Sequence, residues 1–374
     1  MRDGAAQSAA REGRPGTGSE TGPRPTRADY RLVALCVLAV LAAYAVRAAG
    51  LFEVVVFLLS AVALALLARL VGRGVEALGD RLGATLTGVV QSALGNLPEL
   101  FVGIFALRAG LIGVVQAAIV GSILANVLLV LGLAFTVGAL RRGPLKFATG
   151  PARMLSLMLV LSVAAMLVPA LTALLHTPAL GHEAMLSRIV SVILLVLFGL
   201  SLATPALREP SGAEPARARP PEWPLPVALG VLAVAGAGAA LVSDWFVEGL
   251  QPAMDSLHIS QTFAGLVIVA IAGNAVENVV GIQLAAAGRA EYALSVILQS
   301  PLQIALVLAP VLVLIAPLLG AAAFTLVLPP LLIAALVLAV VITVLVVLDG
   351  EGTWFEGLAL VSLYAIIATA FWWG

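Results

Sequence analysis

The chain has 374 residues, 61% of them hydrophobic and 11% charged, with a mean hydropathy of +1.11. Soluble domains carry about 25% charged residues, so this chain lacks the polar surface to live in water; it reads as an all-α integral membrane protein, and a soluble enzyme is excluded. Its apolar runs are continuous, unlike the roughly ten-residue alternating segments of a membrane barrel, and a balance of 20 basic and 20 acidic residues gives no reason to expect a nucleic-acid partner. The single cysteine, Cys36, lies inside an apolar run, so neither a disulfide framework nor a thiolate metal site is expected. His176, His182 and His258 fall between apolar runs and read as loop residues.

Residues 1–30 are rich in Gly, Pro, Ser, Thr and Arg, the composition of a disordered cytoplasmic tail. No cleavage site follows, so residues 31–50 read as a transmembrane helix rather than a leader. Eleven helices are expected, at about 32–49, 51–72, 82–107, 111–139, 152–175, 186–206, 224–243, 259–287, 291–318, 321–347 and 356–373. The longest exceed the roughly 20 residues that span a bilayer and must be tilted or broken. With the N-terminus in the cytoplasm, only Arg47, Arg108 and Arg188 of the 20 basic residues fall outside, and the C-terminus lies outside too. The polar stretch 207–223 reads as a cytoplasmic linker. It divides an extra helix and a first group of five (51–206) from a second group of five (224–374). The bacterial plasma (inner) membrane is the expected location.

The two groups repeat. At one fixed offset, Gly95-Asn96-Leu97-Pro98-Glu99 falls on Gly273-Asn274-Ala275-Val276-Glu277, Ala109-Gly110 on Ala287-Gly288, and Ser122 on Ser300. Five helices per group is an odd number, so the copies run in opposite directions, the inverted-repeat plan of secondary transporters. Glu99 and Glu277 are the two acidic residues well inside an expected helix, with Glu291 at an edge. A carboxylate in hydrocarbon costs on the order of 3 kcal/mol and persists only with a partner or a purpose.

Oxygen-bearing side chains surround the pair. Asn96 and Asn274 stand three residues before their glutamates, on the same helical face. Ser122 with Asn126, and Ser300 with Gln303, form polar stripes on the following helices. Gly95 and Gly273 let another helix approach, and Pro98 frees the carbonyl of Leu94. Carboxylates, amides and hydroxyls without thiolate or imidazole suit a hard cation such as Ca²⁺. Left empty, two carboxylates in low dielectric take up protons. One pair thus holds either a divalent cation or protons, which is the physical basis of antiport. Both glutamates fall about four residues, roughly 6 Å, past mid-helix. To share a site they need either shifted helix limits or helices broken near the two glycines.

At these residues the chain resembles the calcium/cation antiporter superfamily, in its cation/proton exchanger branch. Gly95-Asn-Leu-Pro-Glu99 with Gly121-Ser-Ile-Leu-Ala-Asn126 is similar to the first family repeat, and Gly273-Asn-Ala-Val-Glu277 with Ser300-Pro-Leu-Gln303 to the second. Leu186–Ser191 and Asp349–Gly357 are similar to the family's flanking segments. The resemblance implies alternating access, Glu99 and Glu277 as the metal- and proton-binding pair, and supporting ligands at Asn96, Asn274, Ser122, Ser300 and Gln303, with Asn126 beside them. The second repeat departs from the pattern: Asn278 replaces a His, Gln299 a Gly and Pro301 a small polar residue. These departures keep Na⁺ or K⁺ open as an alternative to Ca²⁺, since Gln in place of a small Gly is a change toward a narrower site.

The reading is a cation/proton antiporter preferring Ca²⁺, with no permanently bound cofactor, whose partners are the lipid bilayer, inorganic cations and protons. Na⁺/H⁺ or K⁺/H⁺ exchange on the same fold is the alternative and a cation channel the remote one. An intramembrane enzyme is disfavoured because no Ser/His/Asp set or His-rich metal motif falls within the helices.

Overall fold

The computed structural model describes residues 25–50, 53–202, 223–320 and 323–373; for 79–93 and 276–277 it describes the backbone but not the side chains. The expected tail up to residue 24 and most of the 207–223 linker lie outside the described residues. Twelve helical segments follow one another: α1 Arg27–Ala48, α2 Glu53–Gly95, α3 Leu97–Arg108, α4 Ile112–Arg142, α5 Thr149–Leu174, α6 Glu183–Ser201, α7 Leu225–Leu257, α8 Gln261–Gly273, α9 Ala275–Ala286, α10 Ala290–Leu319, α11 Pro330–Val347 and α12 Trp354–Ala370. Two short strands, β1 Leu145–Lys146 and β2 Glu351–Gly352, pair antiparallel. Among the described residues, eight helices are each long and apolar enough to cross a membrane, and α8 with α9 makes a ninth, bent by 61°. The shorter α12, and the end of α2 with α3, occupy the remaining two expected segments.

Limits differ from expectation where polarity was mistaken for a loop. The start of α1 lies at Arg27, inside the stretch read as tail. Thr26 and Asp29 form a reciprocal capping box there, which satisfies the first free backbone donors. The second and third expected helices are not separated: α2 runs unbroken for 43 residues, because Arg69–Arg81 holds charges and glycines but no proline. At the other end of the error, α7 extends well past 243. Its added turns bury Trp245, Phe246, Leu250 and Met254 along one face while Asp244, Glu248 and Asp255 face outward. Trp223, placed in the linker, is buried. By contrast α11 begins only at Pro330, since consecutive Pro329 and Pro330 hold the preceding chain extended and fit the first helical position.

The inverted repeat holds down to single dihedral angles. Helix breaks occur at Asn96 (φ −96°, ψ 20°) and at Asn274 (φ −90°, ψ 19°), each immediately after the glycine of its motif. Twelve residues later both short helices end alike. Ala109 and Ala287 cap them, Gly110 and Gly288 follow at φ +76° and +79°, and the next amide reaches back to Ala106 or Leu284 at 2.9 Å. Both long partner helices also contain a widened π turn at the matching place, 125–130 in α4 and 304–308 in α10. Such turns are frequent at functional sites.

Each repeat fastens a loop of the other. On one face β1 pairs with β2 and the Glu291 carboxylate accepts from the amide of Ala148. On the opposite face the Gln116 amide donates to the carbonyls of Thr325 and Val327, and Ser187 accepts from the amide of Leu326. In the interior α4 and α8 meet backbone to backbone: a Cβ on Gly121 would overlap Leu266, and one on Gly265 would overlap Val114. Gly121→Ala is therefore expected to lower stability in detergent by about 1–3 kcal/mol, as overpacking does. Gly230→Ala on α7, where an added Cβ meets nothing within 4 Å among the described residues, is expected to melt no lower than wild type; equal melting temperatures for the two variants contradict this packing.

Candidate functional site

Both helix breaks lie inside the fold, and the polar side chains of both motifs converge there. Asn274 is completely buried at the second break. Its Nδ2 donates to Ser122 Oγ at 2.9 Å and to the Ala270 carbonyl at 2.9 Å, while its Oδ1 accepts from Asn126 Nδ2 at 3.1 Å and Ser300 Oγ at 3.2 Å. These four bonds use every donor and both lone pairs of the amide. In this conformation Asn274 is a strut between the repeats rather than a cation ligand. At the first break Asn96 Nδ2 donates to Gln303 Oε1 at 3.2 Å, again across the repeats. The six supporting residues expected from the sequence fall into two clusters, Asn274 with Ser122, Asn126 and Ser300, and Asn96 with Gln303.

Asn126 begins the π turn of α4. Its Nδ2 also donates to the Ser122 carbonyl at 2.9 Å, and its Oδ1 is buried with no hydrogen-bond partner among the described residues. An acceptor left so inside a polar cluster is a natural place for a cation or a proton-bearing group. Gln299, which the sequence offered as a residue narrowing the site, donates to Ser295 on its own helix at 3.2 Å.

Glu99 stands one turn after the Asn96 break and reaches across to the second repeat. Its Cγ lies 2.9 Å, and its Oε1 3.3 Å, from where a Cβ on Gly273 would sit. The carboxyl rests on bare backbone, which explains the glycine at this position. Glu277 lies one turn beyond Asn274 on α9, but its side chain lies outside the described residues. Among the described residues no group of three or more His, Cys, Asp or Glu converges.

A cavity leads away from Glu99, enclosing about 500 Å³ with its open mouth. Glu99 and Ser122 are its polar side chains; Val102, Gly103, Ala106 and Ile119 are among its apolar walls. These wall residues went unnoticed in the sequence, although 99, 102, 103 and 106 carry the i, i+3, i+4, i+7 spacing of one helical face.

Residues 52–206 and 227–373 match the model of the sodium/calcium exchanger proteins. The chain belongs to that family. It is 33% identical to a Ca²⁺/H⁺ antiporter of Aphanothece halophytica, over 85% of this chain and 90% of that one. It is 34% identical to a vacuolar calcium ion transporter of Schizosaccharomyces pombe, over 84% and 78%. The solved structure of native YfkE superposes with a TM-score of 0.79 at 29% identity, covering 91% of this chain and 99% of that one. A crystal structure of an H⁺/Ca²⁺ exchanger shares the fold, with a TM-score of 0.75 at 16% identity over 92% of each chain.

Two substitutions test the geometry. Asn274→Ala leaves Ser122, Ser300 and Asn126 buried without a common partner and is expected to cost about 1–3 kcal/mol, seen as a lower melting temperature. Gly273→Ala displaces the Glu99 carboxyl and is expected to weaken cation affinity about tenfold, roughly 1.4 kcal/mol. Unchanged cation affinity in Gly273→Ala contradicts this seat for Glu99.

Proposed function

We propose that the chain is a secondary Ca²⁺/H⁺ antiporter of a bacterial plasma membrane, in which Glu99 and Glu277 bind either one Ca²⁺ or protons. The observation that carries this reading is the seat of Glu99 on the broken backbone of Gly273, where a carboxylate from one repeat meets the polar cluster of the other. The names of the two relatives, and the fit of the chain along most of their length, support Ca²⁺ as the cation.

The chemistry follows from the site. Ca²⁺ asks for six to eight oxygens, in flexible geometry. Two carboxylates supply the charge, and Asn126 Oδ1 supplies an oxygen that no other group uses. Asn96 and Gln303, joined by a single bond, part at little cost to offer two more. When the cation leaves, like charges in low dielectric favour proton uptake. A loaded site and a protonated site are both neutralised and cross the membrane barrier; an empty, fully charged one does not. With the N-terminus cytoplasmic and the C-terminus outside, the Glu99 cavity lies on the outer side of the carboxyl, toward Arg108. Proton entry then drives Ca²⁺ out of the cytoplasm.

Proteoliposomes loaded with a pH dye test the reading, with Ca²⁺, Na⁺ or K⁺ added in turn. Ca²⁺ should evoke proton flux that is lost in both Glu99→Gln and Glu277→Gln. A response to Na⁺ or K⁺ alone overturns the choice of ion; a Ca²⁺ response surviving in both variants overturns the site.

A further inference from the structure

The extra helix α1 is poorly explained by burial. Of its 22 residues only Asp29, Leu32, Cys36 and Ala43 are buried, a single thin stripe, while Leu35, Val37, Leu38 and Leu41 are exposed. In a bilayer the hydrophobic effect does not hold such a helix in place, because lipid tails are as apolar as leucine. Polar ties at its two ends do.

At the N-terminal end, Asp29 is 5% exposed. Its carboxylate accepts from Arg73 of α2 at 3.1 and 3.2 Å and from the indole of Trp223, just ahead of α7, at 3.3 Å. The Arg73 guanidinium lies 5.9 Å from the centre of the Trp223 ring. At the C-terminal end, Arg47 donates to Glu248 of α7 at 2.7 and 2.9 Å and lies 5.7 Å from the centre of the Trp245 ring, against which Tyr44 also packs at 5.9 Å. The same trio of arginine, carboxylate and tryptophan recurs at opposite ends of one helix. One trio reaches the first repeat and the lead-in to the second; the other reaches the second repeat.

Between these ties α2 and α7 meet through a smooth surface. Gly74 faces Leu232, Gly238 faces Leu67, Gly249 faces Phe57, and Phe57 stacks on Phe246 with ring centres 4.8 Å apart. Ser60 of α2 and Ser243 of α7 are fully buried hydroxyls without a hydrogen-bond partner. These named contacts hold α2 on α7 by apolar packing alone, and the polar ties through α1 add to it. We propose that α1 is a strap that fixes the register of α2 against α7, so that the three helices travel as one body during exchange. Asp29, Arg73 and Trp223, with Arg47, Glu248 and Trp245, are positioning residues that set turnover and not cation binding.

This inference rests on the antiport reading, and wild-type flux in the same liposomes separates failure of that reading from failure of the strap. The exposed pair Arg47 and Glu248 is the safer place for substitution, since both side chains reach solvent. In a Cys36→Ala background, Arg47→Cys with Glu248→Cys is joined by a short bis-methanethiosulfonate. The joined protein should keep at least half of the unjoined flux. Arg47→Glu alone should slow exchange at saturating Ca²⁺ by about threefold or more, the scale of one exposed ion pair and its reversal, with the half-saturating Ca²⁺ concentration unchanged. Arg47→Glu with Glu248→Arg should restore the rate. Flux abolished by the cross-link means that α1 must part from α7, and overturns the proposal. So does an unaltered rate in Arg47→Glu, or a change in half-saturation without a change in rate.

Discussion

Glu99 rests on the backbone of Gly273, and this contact between the two repeats constrains most of what surrounds it. A carboxylate inside hydrocarbon needs neighbours that repay its desolvation. Breaking each helix at the site brings polar backbone and side chains to it, and irregular backbone at that depth is tolerated where it lines protein or a cavity. The cost of the breaks is met locally. Asn274 satisfies its amide four times over, Asn126 and Ser122 bond to one another as well as to it, and matched caps close the short helices that follow.

The same contact explains why the repeats interlock instead of standing side by side. Asn96 to Gln303, Asn126 to Asn274 and Asn274 to Ser122 each join a side chain of one repeat to one of the other, while Ser300 to Asn274 stays within the second. Loops on both faces are held by the opposite repeat as well, by β1 with β2 on one face and by Gln116 and Ser187 on the other. Near-identical dihedrals at Asn96 and Asn274 show that the local fold is duplicated. The sequence is less symmetric than the backbone: Gly121, which touches the backbone of Leu266, has Gln299 as its counterpart in the second repeat.

Much of this was legible in the sequence because chemistry in a membrane is conspicuous. A glutamate, an asparagine and a glycine stand out against alanine and leucine, and two copies at one offset locate the site before any coordinates. The polar side chains singled out on that ground bond to one another in two groups, four around Asn274 and the pair Asn96 and Gln303. Helix limits were less legible, since charge was taken for a loop. In α2 the charged turns lie within one unbroken helix and in α7 they belong to its last turns, so charge alone marks no helix limit; proline or a cap does. The π turns at Ala125–Val130, Ala264–Val269 and Ile304–Leu308 carried no readable signal, since their residues are mostly the same Ala, Val, Ile and Leu as the α-helical turns beside them. The role of Asn274 as a strut was equally hidden: one amide looks like another until its four partners are known.

The central claim is that cation and protons compete for the same carboxylates. Calorimetric titration of the purified protein with Ca²⁺, repeated in buffers of different ionisation enthalpy, counts the protons released on binding. Competition predicts the release of about one to two protons per Ca²⁺ when the pH is below that at which the pair is fully ionised, together with weaker affinity as the pH falls. Ca²⁺ binding that releases no protons, with an affinity indifferent to pH, would contradict it.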